Sequence, residues 1–327
     1  MYTILITGGT GMIGKALTKA LLEKDYNVII LTRQPEKQTV GTAKLSYAGW
    51  NIPNQTIDKE AIAKSDYIIH LAGARIADKR WTKKRKKQIV DSRVKTGQLL
   101  VKALKENANN VKAVISASAI GWYLIPNPSP QSGEGGRATV FREEDPPAND
   151  FLGQTCRQWE ESLEPVIQLN KRLVKIRTGI VLSNEGGALP EFIKPLRFGI
   201  APILSNGKQI ISWIHIEDLV RIYIAAIENE NMNDVYNAVA PGPVSNKELV
   251  LQLAKIKRGG FYVPIHVPSF ILRLILGEMS VEVLKSAAVS CDKIHFTGFT
   301  FLYPSLESAL KEIAGKKNKT PPQEGQV

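Results

Sequence analysis

Apolar residues in the first half of the chain come in short runs, and the stretches between those runs carry apolar positions at helical spacing. Thr3-Ile4-Leu5-Ile6 is the first run, and Lys15-Ala16-Leu17-Thr18-Lys19-Ala20-Leu21-Leu22 is the first helical stretch. Asn27-Val28-Ile29-Ile30-Leu31 follows as a second strand. A short strand around Lys44-Leu45-Ser46-Tyr47 and a polar, helical segment lead to residue 65. Residues 66–74 read as a buried parallel strand that ends in small side chains. A basic helix then places Ile89, Val90, Val94, Leu99, Leu100 and Leu104 on its apolar positions, and residues 111–118 form another buried strand. A helix predicted over about 151–170 buries Leu152, Thr155, Cys156, Trp159 and Leu163, and the strand 173–177 follows it. Strands that alternate with helices in this way predict an α/β fold with a Rossmann-type doubly wound parallel sheet.

The join between the first strand and the first helix carries the chemistry. Thr7-Gly8-Gly9-Thr10-Gly11-Met12-Ile13-Gly14 has glycines three apart, after a strand and before a helix. Glycine allows positive φ and brings no Cβ against an approaching diphosphate, and the N-terminus of the helix then holds the anion. Gly8, Thr10, Gly11, Met12, Ile13 and Gly14 are therefore candidate cofactor-binding residues. The second strand ends at Thr32-Arg33. An acidic residue there would bond the ribose hydroxyls of NAD, whereas an arginine accepts the 2′-phosphate of NADP, so NADP is expected. Leu71, Ala72 and Gly73 leave room for a ligand beside a strand end, and Arg75 and Arg80 lie just past it, within reach of cofactor phosphates.

The regular alternation stops near residue 179, where Gly186-Gly187, Pro190, Pro195 and Pro202 separate short segments. Residues 1–178 read as the NADP-binding domain, and 179–315 mainly as a smaller C-terminal lobe on the substrate side. A helix over 216–229 and a strand over 235–239 are expected to return to the sheet. The Pro- and Gly-rich stretch 124–150 is predicted as a long functional or mobile loop, and 316–327 as a disordered tail.

Composition removes several classes. Two cysteines exclude a disulfide framework, and the four histidines, at 70, 215, 266 and 295, are too scattered for a metal cluster. No stretch approaches ~20 uninterrupted apolar residues, so no membrane partner is expected, and the cytoplasm is the expected compartment. The net charge of +12 rests largely on residues 79–87 and the C-terminal lysines. No nucleic-acid-binding signature accompanies these runs, so they read as a solvated face and a basic rim for an anionic small molecule.

Residues 7–14 resemble the fingerprint of the extended short-chain dehydrogenase/reductase superfamily. Within it, the chain is similar to the NAD(P)-dependent epimerase-like family that ends in a small C-terminal domain of unknown function. That resemblance is carried by Leu71-Ala72-Gly73-Ala74, Lys79-Arg80-Trp81-Thr82, Ser92-Arg93, Cys156-Arg157-Gln158-Trp159-Glu160, Arg177-Thr178-Gly179 and Ser212-Trp213-Ile214-His215, and by Leu276-Gly277-Glu278-Met279 near the end. It implies a serine after the fifth strand of the sheet, matched by Ser118, and a Tyr-x-x-x-Lys pair whose positions hold Leu152 and Cys156. The usual proton-transfer pair is thus absent. Tyr123, beside Ser118, is the nearest alternative proton donor, and Cys156 is a second. The implied activity is NADP-dependent oxidation–reduction or epimerisation at a carbonyl or secondary alcohol, with a nucleotide-sugar-like substrate. The alternative is an NADP-binding protein that is catalytically silent. Arg177 is expected to face the crevice or pair with an acid, and His215 and Asp218 fit a turn-and-cap role.

Overall fold

A computed structural model describes residues 1–39, 41–123 and 140–315. Most of the predicted loop (124–139) and the predicted tail (316–327) lie outside the described residues. The apolar runs pair into one eight-stranded sheet: Thr3–Thr7 (β1), Asn27–Thr32 (β2), Leu45–Asn51 (β3), Thr56–Ile57 (β4), Tyr67–His70 (β5), Ala113–Ala119 (β6), Arg172–Thr178 (β7) and Val235–Ala238 (β8). The order is β8-β7-β6-β5-β1-β2-β3-β4, parallel throughout except for the β3–β4 pair.

Alternate residues of each strand enter different cores, which is why the runs are apolar without interruption. Ile4, Ile6, Val28, Ile30 and Ile69 join one core with Leu17 and Leu21 of the helix Met12–Glu23 (α1) and with Leu219, Ile222 and Tyr223 of a late helix. Leu5, Ile29, Leu31 and Ile68 face the opposite core, which is covered by Lys59–Ala63 (α2) and Lys83–Glu106 (α3). The helix expected over 151–170 is divided. Phe151–Glu161 (α4) ends before a separate short helix, Pro165–Gln168, because proline cannot continue the amide ladder but starts a new helix well. The late helix Ile216–Glu228 (α5) packs against α1 and leads to β8, which closes the sheet beside β7.

A second core, with Leu189, Leu196, Ile203, Trp213, Leu249, Leu253 and Leu310, forms the C-terminal lobe. Its helices Leu189–Leu196, Asn246–Arg258 and Leu306–Gly315 flank the strand Ile200–Leu204, which pairs with Val263–Val267. The lobe is fastened to the sheet domain by the pairing of Val140–Phe141 with Ala288–Val289. Lys285, nearly buried, adds ion pairs to Asp150 at 2.5 Å and Glu282 at 2.7 Å. Among the described residues no helix is long and apolar enough to cross a membrane.

Candidate functional site

The sheet order reverses at β1, which has β2 on one side and β5 on the other, so a crevice opens beyond the carboxyl ends of these strands. The fingerprint turn lines it. Gly8 has φ +72°, and a Cβ there would lie 2.9 Å from the Leu71 carbonyl carbon and 3.0 Å from the Ala72 nitrogen. Gly14 is needed for a different approach: its Cβ would fall 2.4 Å from the Gly8 oxygen. A Cβ on Gly11 would meet the Gly8 oxygen at 3.3 Å, a close contact but a milder one than at Gly8 or Gly14. Gly11 is also the N-cap of α1, with no side-chain cap and no acid in the first turn, leaving the helix's amide end available to an anion. Beside Thr10, a groove of about 530 Å³ runs between α1 and the β2–β3 edge, with Lys15 and Lys19 along it.

A buried hydrogen-bonded chain fixes β1 against β5. Thr7 Oγ1 accepts from the amides of Leu71 and Ala72, each at 3.2 Å, so its own proton goes to His70 Nδ1 at 2.7 Å. Thr96 Oγ1 donates to main-chain carbonyls and lies 3.3 Å from His70 Nε2, which assigns the Nε2–H tautomer. Burial, with help from the nearby Arg93 charge, lowers the His70 pKa to about 3, so this imidazole is neutral.

The sequence-predicted residues at this end separate into several groups. Leu71 and Ala72 adjoin the fingerprint turn, and Gly73 follows them against the Arg93 side chain. Arg33 is exposed at the end of β2, where Thr32 Oγ1 accepts from the Gln34 amide. Arg75 is exposed, and its carbonyl is held by Arg85. Arg80 turns away from the crevice, donating to the carbonyls of Leu274 and Ile275 in the C-terminal lobe. The basic run is solvated at Lys79, Lys83, Lys84 and Lys87, but Arg85 is buried and Lys86 pairs with Glu278.

At the end of β6, Ser118 is buried and donates to Glu160 Oε1 at 2.6 Å. Glu160 and Arg177 form a two-pronged pair, Nε to Oε1 at 2.9 Å and Nη2 to Oε2 at 3.0 Å. Arg177 therefore takes an acid as its partner, and its cation lies 3.6 Å from the Trp122 ring. Burial works against the Arg177 charge, but the Glu160 pair outweighs it and raises the pKa. Arg177 Nη1 also donates to the Tyr123 hydroxyl at 2.7 Å, and Tyr123 donates to Asn237 Oδ1 at 2.9 Å. Tyr123 was the expected proton donor, but its one proton is committed to Asn237, its ring is 2 % exposed, and burial raises its pKa. This geometry suits a positioning role.

Leu152 and Cys156, at the positions of the usual pair, do face this strand end. A Cβ on Gly121 would lie 3.3 Å from Leu152 Cβ and 3.7 Å from Cys156 Sγ. Leu152 packs with Trp81, Ile89 and Met279, an apolar plug where a phenol would stand. The buried Cys156 thiol is pushed up to about 12, by burial first and then by Glu160, so it stays protonated. In the other lobe, His215 caps α5, its Nδ1 accepting from the Glu217 amide at 3.2 Å. Asp218 accepts from the amides of Leu302 and Tyr303. Among the described residues no group of His, Cys, Asp and Glu is arranged to hold a metal ion.

Sequence reasoning passed over Ser92, Arg93, Arg85 and Glu160 as site residues. Ser92 Oγ accepts from the Ala74 amide at 2.9 Å, while Arg93 Nη1 donates to Ala74 O at 3.2 Å and Ile89 O at 3.0 Å. All four lie on helices that read as amphipathic scaffolding; Ser92, Arg93 and Glu160 fall within motifs that carry the family resemblance, whereas Arg85 is marked only by its reach to the turn after β5.

A doubly wound sheet with a glycine turn at its switch point, a serine at the end of β6 and a C-terminal lobe beside the crevice defines an extended short-chain dehydrogenase/reductase. Residues 4–143 match the model of the NAD dependent epimerase/dehydratase family, and residues 267–313 match a domain of unknown function, DUF1731. The epimerase family protein SSP1921 of Staphylococcus saprophyticus is 38% identical over 315 residues, covering 96% of this chain and 99% of the relative. SAR0825 of Staphylococcus aureus is 35% identical over 316 residues, covering 97% of this chain and all of the relative. A crystal structure of the human epimerase family protein SDR39U1 (isoform 2) with NADPH superposes with a TM-score of 0.81 at 28% identity, covering 96% of this chain and 100% of that one. The chain belongs to the epimerase family.

Proposed function

We propose that the chain binds NADP(H) along the crevice and interconverts a carbonyl and a secondary alcohol on a small anionic substrate, by net oxidation–reduction or by transient oxidation within an epimerisation. The observation that carries this reading is the glycine turn. Gly8 and Gly14 are enforced by contacts under 3 Å, whereas Gly11, whose Cβ would meet the Gly8 oxygen at 3.3 Å, stands at an uncapped helix N-terminus. Packing demands glycine more strongly at the first two positions than at the third. Arg33 at the end of β2, with no acid at that position, favours NADP over NAD. The NADPH-bound SDR39U1 structure supports the same choice by similarity.

The turn and α1 would hold the diphosphate, Arg33 the 2′-phosphate, and Leu71–Gly73 would border the nicotinamide half. When bound, the nicotinamide supplies or accepts the hydride. Ser118, though buried, directs its proton at Glu160, which leaves its oxygen to accept from a substrate hydroxyl brought to this strand end. As the alcohol is oxidised, its proton passes to Ser118 while the serine's own proton moves to Glu160, and reduction runs the same path in reverse. Arg177, itself bonded to Tyr123, holds Glu160 in place for that exchange.

Incubating the protein with NADPH and a panel of aldehydes, ketones and nucleotide-sugar-like oxo compounds, and following loss of NADPH absorbance, tests the reading. A turnover that falls by about 10²-fold or more in Ser118→Ala, at unchanged NADPH affinity, is the expected result. The apolar plug at Leu152 and the protonated Cys156 favour a second reading, a silent NADP-responsive protein. Tight NADPH binding with no oxidation across the panel would select it.

A further inference from the structure

Arg85 and Arg93 are the most unusual charges in the molecule. Both belong to α3, and both are buried, 9 % and 8 % exposed. Both reach the same turn after β5: Arg85 Nη2 donates to the Arg75 carbonyl and Arg93 Nη1 to the Ala74 carbonyl. A buried guanidinium ordinarily comes with a carboxylate, as Arg177 does with Glu160. Among the described residues neither of these two has one. The side-chain partner of Arg85 is the neutral amide of Gln88, at 2.7 Å, and its Nε is buried with no acceptor. The Trp159 ring, 5.0 Å from Arg93 Cζ, offsets only part of the cost of burying a cation.

The turn above Arg93 carries no side chain at the point where it crosses the guanidinium. Gly73 is exposed, and a Cβ there would lie 3.1 Å from Arg93 Cζ and 3.3 Å from Nη2. Gly73 directly follows Leu71 and Ala72, which touch Gly8 of the fingerprint turn, so Arg93 lies beside the nucleotide crevice and Arg85 holds the same turn two residues farther on.

We propose that Arg85 and Arg93 form an oxyanion site beneath the turn 73–76, completed by a phosphate or carboxylate of the ligand bound in the crevice. The oxyanion belongs either to the dinucleotide's diphosphate or to an acidic group on the substrate. The proposal rests on the nucleotide-binding reading above and extends it to the class of ligand.

Calorimetric titration of the full chain and of Arg93→Met and Arg85→Met tests it. The probes are NADPH, adenosine 2′,5′-bisphosphate, which lacks the diphosphate bridge, and oxalate added to protein saturated with NADP. If the dinucleotide supplies the oxyanion, both variants weaken NADPH by at least about tenfold and leave the bisphosphate unchanged. If the substrate supplies it, NADPH binding is unchanged, and saturable oxalate binding, present in the wild type, is lost in both variants. Should either variant fail to fold by circular dichroism, the corresponding Arg93→Lys or Arg85→Lys keeps the charge without the guanidinium fork and is expected to weaken the same ligand. Folded variants that bind NADPH and oxalate as the wild type does would overturn the site, as would a wild type that ignores oxalate while the variants hold NADPH normally. A wild type that does not bind NADPH would instead remove the nucleotide reading on which the site depends.

Discussion

Gly11 and Gly14 share a motif but serve different ends. A methyl group at Gly14 meets the Gly8 oxygen at 2.4 Å, whereas at Gly11 the closest atom is 3.3 Å away. Gly14→Ala is therefore expected to lower the melting temperature by several degrees, and Gly11→Ala to lower it less while weakening NADPH binding; thermal melts with and without NADPH separate the two. His70 gives a second prediction. Its folded pKa, about 3, lies below the ordinary value of 6.5, so the unfolded chain binds the extra proton between them. The His70 contribution is present above pH ~6.5 and is lost at about 1.4 kcal/mol per unit as pH falls toward 3. Urea unfolding at pH 7 and pH 5 is expected to show this loss in the wild type and a shallower one in His70→Gln. Equal slopes in the two proteins would contradict the assignment. The fingerprint glycines were legible because a strand and a helix flank them. His70 was not, because its partners Thr7 and Thr96 lie 63 and 26 positions away.

At the scale of elements, α4 carries the departure from the familiar pattern. It presents Leu152 and Cys156 to the end of β6 and, one to two turns later, Glu160 to Ser118 and Arg177. The apolar face of this helix was readable from its spacing, but its end was not, since Pro165 starts a new helix four residues beyond Glu161. The buried glutamate was hidden as well, because Glu160 reads as a solvent-facing residue until β7 brings Arg177 alongside. Glu160→Gln leaves the Arg177 cation buried without a charged partner and is expected to cost about 3–5 kcal/mol in chemical denaturation. Adding Arg177→Met is expected to recover part of that loss, and a further decrease in the double variant would argue against an ion pair as the cause.

At the scale of the molecule, the alternation of strands and helices made the doubly wound sheet legible from sequence, down to the return of β8. Regular elements with period-2 and helical patterns announce themselves, whereas the lobe beyond residue 179 is held by contacts distant in sequence. Arg80 illustrates this. It sits in a basic run beside a ligand-facing strand end, yet its guanidinium fastens the C-terminal lobe at Leu274 and Ile275. Arg80→Ala is expected to lower thermal stability while changing NADPH affinity less than about twofold, and a larger loss of affinity would return Arg80 to the cofactor. Every role proposed for this chain depends on the crevice between β1, β2 and β5 being a site for NADP(H). Its most direct test is fluorescence titration of the purified protein with NADPH and, separately, NADH. NADPH binding clearly tighter than NADH binding, with the preference lost in Arg33→Asp, is the result the account requires, and failure to bind either nucleotide would contradict it.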